Sequence, residues 1–164
     1  MNKLNEEELY NIVTKSYFGN VDLKQLDGVL NCFAEDATLT IQTDNLTHHG
    51  KDKEIKRMFS DFFPAFDIIW HGDFQPIIDV QKQSIAVRFN ALRLRYDGIE
   101  ERATNINLFF LNEGKFSEVY IYMSYENPLR WFQLINRTKK RLKEGKIIRI
   151  ITLKISDNIN GITP

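Results

Sequence analysis

Apolar positions in the first 64 residues recur with the period of a helix. Leu9, Ile12, Val13 and Tyr17 fall at i, i+3, i+4 and i+8, which puts them on one buried face. Asn5 followed by Glu8 has capping-box spacing and places the helix start, and Gly19-Asn20 places its end. Asp22 then reads as the N-cap of a second helix, with Gln25 three residues on and Val21 and Leu26 as a hydrophobic staple. Leu26, Val29, Leu30 and Phe33 form that helix's apolar face. A short strand over 37–42, a polar loop over 43–51 and a third helix carrying Ile55, Met58, Phe59 and Phe62 follow, and Pro64 stops the helix.

Beyond residue 67 the period changes to two. Strands are expected over 68–79, 84–96, 101–111 and 116–125, joined by turns at Gln81-Lys82-Gln83, Asp97-Gly98 and Asn112-Glu113-Gly114-Lys115. In the second of these strands Ile85, Val87 and Phe89 alternate with polar residues, and then Leu92, Leu94 and Tyr96 take the opposite phase. That slip predicts a β-bulge near Asn90-Ala91. With the last turn taken as a simple hairpin, Thr104, Ile106 and Leu108 share an apolar, helix-facing side with Val119, Ile121 and Met123. Asn105, Asn107, Glu118, Tyr120 and Tyr122 then fall on the outer side. Helices followed by a meander of strands make an α+β domain, the helices closing over a curved antiparallel sheet with an apolar pocket between them.

Composition adds bounds. Hydrophobic residues make up 43% and charged residues 27% of 164, a globular balance. No apolar run approaches the roughly 18 residues of a membrane span, MNKLNEEELY lacks a signal-peptide core, and Cys32 is the single cysteine. A cytoplasmic protein is the expectation. Net charge is zero, but residues 129–164 hold nine basic and two acidic side chains, leaving −7 on the remainder. This predicts a body over 1–135 with a basic extension over 136–164. The extension reads as a solvated helix and an added edge strand or partner contact, in preference to a nucleic-acid or membrane contact.

The string Gln25-Leu26-Asp27-Gly28, Phe33-Ala34-Glu35-Asp36-Ala37-Thr38, Gly50 before a helix, and Phe110 with Glu113-Gly114-Lys115-Phe116 resembles the nuclear transport factor 2-like superfamily. Within it the chain is most similar to the SnoaL-like polyketide cyclases, ketosteroid isomerases and phenazine-biosynthesis members. Tyr122-Met123-Ser124-Tyr125-Glu126-Asn127-Pro128 resembles the last of these. The resemblance spans about 5–135 and implies a cystatin-like cone, N-terminal helices packed on a curved sheet. It places Tyr17 where the isomerases keep an enolate-stabilising tyrosine. It places Ile41 at their general base, Ile106 at their second oxyanion donor and Ile121 at the carboxylate of the cyclases and phenazine members. Isoleucine neither accepts nor donates a proton, so the relatives' mechanisms are not expected to carry over intact.

Three readings of function follow. The first is a small-molecule-binding domain whose pocket, lined by Tyr17, Ile41, Thr104, Ile106, Ile121 and Met123, takes a hydrophobic compound, cyclic ones included, in a homodimer packed through the sheet. The second is an isomerase, cyclase or dehydratase using Tyr17 with His71 or Asp73. Those two lie two apart in a strand and are expected to share a face as an acid/base pair. The third is an interaction module using the outer sheet face or the basic tail. No cofactor or metal is expected: there is no Gly-rich phosphate loop, and His48-His49 reads as part of a loop. Arg88, Arg93 and Arg95, facing Glu100, Glu101 and Glu118, read as charge pairs on the outer face.

Overall fold

Asn5 and Glu8 close the expected capping box: the Glu8 amide donates to Asn5 Oδ1 at 2.9 Å, and the Asn5 amide to the Glu8 carboxylate at 2.8 Å. Helix α1 (Glu6–Asn11) starts there. The computed structural model describes residues 3–124. The expectations for the 136–164 extension, for Tyr125 and for the helix after Pro128 therefore lie outside the described residues.

The helix does not end at Gly19-Asn20. It continues from α1 through a π-helical stretch, Ile12–Phe18, into α2 (Gly19–Asp22). A β-carbon on Gly19 would meet nothing within 4 Å, so this glycine marks no forced turn. The chain reverses at Lys24, which is left-handed at φ 55. Asp22 is thus the last helical residue, not a cap for α3 (Leu26–Leu30), whose N-cap is Gln25. A second π-helical stretch, Gly50–Ile55, leads into α4 (Lys56–Phe62).

Six strands form one sheet: β1 (Phe33–Ile41), β2 (Leu46–His49), β3 (Ile68–Asp79), β4 (Ser84–Leu94), β5 (Glu100–Asn112) and β6 (Lys115–Tyr122). The order is β2-β1-β6-β5-β4-β3, antiparallel except where β1 runs parallel to β6. The sheet is therefore mixed, in an α+β fold. The segment read as a loop contains β2, turned back from β1 at left-handed Asn45 and tied to it by the Thr40–Thr47 hydroxyl pair at 3.0 Å.

Two bulges set which side chains meet the helices. In β3 the register shifts between Gly72 and Gln75, so the bulge foreseen in β4 lies on its partner strand. Strand β4 keeps one phase throughout: Ile85, Val87, Phe89, Ala91 and Arg93 are all buried. In the β5–β6 hairpin Asn112 pairs with Lys115 and Leu111 with Phe116, but Phe110 pairs with Glu118. Ser117 is the extra residue, its hydroxyl donating to the Phe110 carbonyl at 3.2 Å. One inserted residue inverts the phase of the partner strand. Asn105, Asn107 and Phe109 therefore face inward beside Val119, while Thr104, Ile106 and Leu108 pair outward with Ser124, Tyr122 and Tyr120.

The core under the helices is aromatic. Tyr17 stands edge-on to Phe18, Phe33, Phe59, Phe109 and Phe116, with centroids 5.0 to 6.3 Å away. Burying each phenylalanine contributes about 1.5–3 kcal/mol, before the edge-to-face term.

Candidate functional site

An α-helix with Tyr17 at the centre of its buried face would carry Phe18 about 100° away from it. The wider π-helical stretch instead lets Val13, Thr14, Tyr17 and Phe18 all reach the core. Asp22 lies four residues after Phe18, on the same face. These two residues grip one imidazole. Phe18 packs on the His71 ring at 4.7 Å, Phe89 approaches it at 5.4 Å, and Asp22 Oδ1 lies 2.6 Å from His71 Nδ1. The second carboxylate oxygen accepts the His71 backbone amide at 3.1 Å. Both oxygens of Asp22 are thus spent on one residue, which fixes the ring position and sets Nδ1–H as the donor to the carboxylate. The His71 and Asp22 side chains are 11% and 23% exposed.

Asp73 does not join them. It sits in the β3 bulge at φ 56, is exposed, and accepts a hydrogen bond from Asn90 Nδ2 at 2.9 Å on the outer face. Spacing by two places residues on one face only in a regular strand, and the bulge breaks that rule here. The carboxylate partner of His71 is Asp22, 49 residues away and hidden from the sequence by its assignment as a cap.

The other expected residues also divide between the faces. Tyr17, Ile41 and Ile121 are inner; Tyr17 and Ile41 are each 3% exposed. Met123 lies just past β6, its backbone tied to the Thr43 hydroxyl. Thr104 and Ile106 are outer, Ile106 at 48% exposure, so neither can line an inner pocket. Burial, and secondarily Cys32, push the Tyr17 hydroxyl far above its ordinary range, so it can serve only as a proton-bearing donor.

Polar residues missed by the sequence pattern occupy the inner side of β4 and β5. Asn105 and Asn107 are 5% and 2% exposed, and Asn107 Oδ1 has no hydrogen-bond partner among the described residues. Arg93 is inner too, 4% exposed, with Nη2 2.9 Å from Glu101 and its guanidinium 5.1 Å from the Phe66 ring centre. The expected Arg93–Glu101 pair exists, but on the inner face. Ala91 and Ala103 pair between Arg93–Glu101 and Phe89–Asn105, leaving a low floor beside His71. His48 and His49, successive in β2, are buried and exposed respectively, so they do not converge on one point.

N-terminal helices packed on a curved, unclosed six-stranded mixed sheet make the nuclear transport factor 2-like fold. The chain belongs to the SnoaL-like domain family, whose model matches residues 5–127. Solved structures with the same fold include a proposed polyketide cyclase from Xanthomonas campestris pv. campestris (TM-score 0.65, 12% identity, covering 78% of this chain and 96% of that one). AusH from Aspergillus nidulans matches at TM-score 0.65 and 14% identity, over 75% and 88% of the two chains. A protein with a ketosteroid isomerase-like fold from Catenulispora acidiphila, solved with trimethylamine, matches at 0.60 and 11%, over 68% and 83%. No curated protein matches the sequence significantly. Among the described residues, no helix is long and apolar enough to cross a membrane.

Proposed function

We propose that the domain is an acid–base enzyme of the isomerase, cyclase or dehydratase type, acting on a hydrophobic small molecule at the inner face of the sheet. The observation that carries this reading is the Asp22–His71 pair at 2.6 Å, with the second Asp22 oxygen locking the same residue through its backbone amide. His71 Nε2 takes a proton from carbon beside a carbonyl or from a bound hydroxyl, and Asp22 stabilises the imidazolium formed. Tyr17 and the inward asparagines are the candidate donors to developing negative charge on the substrate oxygen. Ile41, Ile121 and Met123 supply apolar wall.

The proposed polyketide cyclase above shares this fold, which is in keeping with the cyclase arm of the reading without fixing a substrate. The test is hydrogen–deuterium exchange of cyclic ketones in D2O, followed by proton NMR. The intact protein is expected to accelerate exchange beside the carbonyl, and His71→Gln to remove on the order of 10²- to 10⁴-fold of that acceleration. Equal exchange by the two proteins would sink the catalytic reading. Saturable ketone binding without exchange would instead favour a binding domain, the second reading, for which the apolar Ile41 and Ile121 speak.

A further inference from the structure

Asn107 occupies a position where the sheet otherwise carries hydrocarbon. Its level of the inner face runs Val87, Asn107, Ile121, Ile41 across β4, β5, β6 and β1, and Phe109 is the next inward residue of its own strand. Val87 and Phe109 are fully buried, and Ile41 nearly so. Asn107 itself is 2% exposed, and its Oδ1 has no hydrogen-bond partner among the described residues. The neighbouring asparagine differs: Asn105 Oδ1 accepts the Ser124 amide at 3.3 Å, so the chain itself uses that side chain. Two other buried donors are turned away, each bonding the carbonyl four residues back. The Thr14 hydroxyl donates to Tyr10 at 2.8 Å and the Cys32 thiol to Gly28 at 3.5 Å.

A buried amide oxygen without a donor destabilises the fold that contains it, so the position calls for a donor that the fold does not supply. The surroundings say what kind. An anion brings no proton to an acceptor. An ammonium would enter a ring of aliphatic and aromatic side chains with no carboxylate at this level of the sheet. A neutral hydroxyl meets the demand and carries no charge into the core. His71 lies level with Ala91 and Ala103, four residues of β5 from Asn107, which is roughly 13 Å along the strand. A molecule reaching both is about two rings long, with its hydroxyl at the end away from His71.

We propose that Asn107 is the specificity residue of the inner site: its oxygen accepts the hydroxyl of a two-ring hydroxyketone, which selects such compounds over ketones of the same shape without the hydroxyl. This rests on the reading of the inner face as the place where a small molecule binds.

The probes are 4-(4-hydroxyphenyl)cyclohexanone, its methyl ether and 4-phenylcyclohexanone, titrated into the full chain and followed by saturation-transfer NMR. The phenol is expected to bind at least about tenfold more tightly than either of the others, since they leave the oxygen unmet. Asn107→Leu should erase that preference. Asn107→Ala, which adds no volume, should do the same, and circular dichroism checks that both variants are folded. His71→Gln should keep the preference while losing deuterium exchange beside the carbonyl, which separates recognition from chemistry. Equal binding of the three probes by the native chain, or a preference that survives in folded Asn107→Ala, would overturn the proposal. So would no saturable binding of the phenol by about 1 mM, a concentration that a buried hydrogen bond and two buried rings should not require. Exchange of 4-phenylcyclohexanone together with equal binding would leave the acid–base reading standing and remove only the role of Asn107. Selective binding without exchange would do the reverse.

Discussion

Asp22→Asn isolates what the carboxylate does for His71. In the native structure Asp22 accepts twice, from Nδ1 at 2.6 Å and from the His71 amide at 3.1 Å. Asparagine has one acceptor and one donor end. If its oxygen keeps the backbone amide, its NH₂ faces Nδ1, and the ring proton must move to Nε2. The base is then occupied by the proton it was meant to abstract. If the oxygen keeps Nδ1–H instead, the NH₂ opposes the His71 amide. Either way one charge-assisted hydrogen bond is lost, worth about 1.5–3 kcal/mol. The pair is partly exposed, so a cost near 1–2 kcal/mol is expected, about 2–8 °C in Tm. The effect on proton abstraction is larger, on the order of 10²- to 10⁴-fold. Nitrogen-15 NMR of the His71 ring reads the tautomer without any substrate and tells the two arrangements apart: the native ring should carry its proton on Nδ1, and the variant on Nε2 where the asparagine oxygen keeps the backbone amide. Ketone exchange as fast as in the native protein would refute the role given to Asp22.

Other expectations follow from single features. Burial lowers the proton affinity of His48, with Glu54 opposing and Arg57 and His49 assisting. Below the unfolded imidazole value of about 6.5 the unfolded chain then binds a proton that the folded chain resists, so stability is complete above that pH and falls as the pH drops toward the folded value. Urea midpoints of the native chain should drop between pH 7.5 and 5.5, and His48→Leu should flatten that slope. Burial pushes the Cys32 thiol up to about 11, so a disulfide reagent at pH 8 should label it far more slowly in the folded than in the unfolded chain. Ser117→Ala should cost about 0.5–1.5 kcal/mol in chemical denaturation. Deleting Ser117 joins Phe116 directly to Glu118 and restores regular alternation, with Glu118 still opposite Phe110 and Val119 opposite Phe109, so the variant should stay folded as judged by circular dichroism.

Much of the fold was legible because it rests on local chemistry. The Asn5–Glu8 box, the Leu9–Val13–Tyr17 face, the Phe59 helix and the inward Val119–Ile121 side of β6 all follow from spacing, and the structure keeps them. The proposed site was half legible: His71 was singled out, but a carboxylate partner was sought two residues away in the same strand. The actual partner became reachable only because a π-helical stretch carries Phe18 inward and the helix runs on past Gly19 to Asp22.

The two reversed strand readings have a common cause. In β5 the more apolar-looking phase, Thr104-Ile106-Leu108, faces out, and the phase with two asparagines faces in. In β4 Leu92 and Leu94 face out while Arg93 is buried. Periodicity assigns faces by assuming that apolar side chains go inside, so it fails where a core is polar for another reason. Burying an unpaired amide oxygen such as Asn107 Oδ1 costs about 1–3 kcal/mol, and nothing in the packing of β5 requires it. Both failures fall on the inner side of β4 and β5, on either side of the Ala91–Ala103 floor next to His71. Departures of this kind are expected where function makes demands on a core, and these two flank His71. On the proposed function the Asp22–His71 pair and the inward asparagines form one site, and Asn107→Leu should gain stability while losing ketone exchange. A variant that unfolds more readily and keeps ketone exchange would show instead that Asn107 serves the core alone.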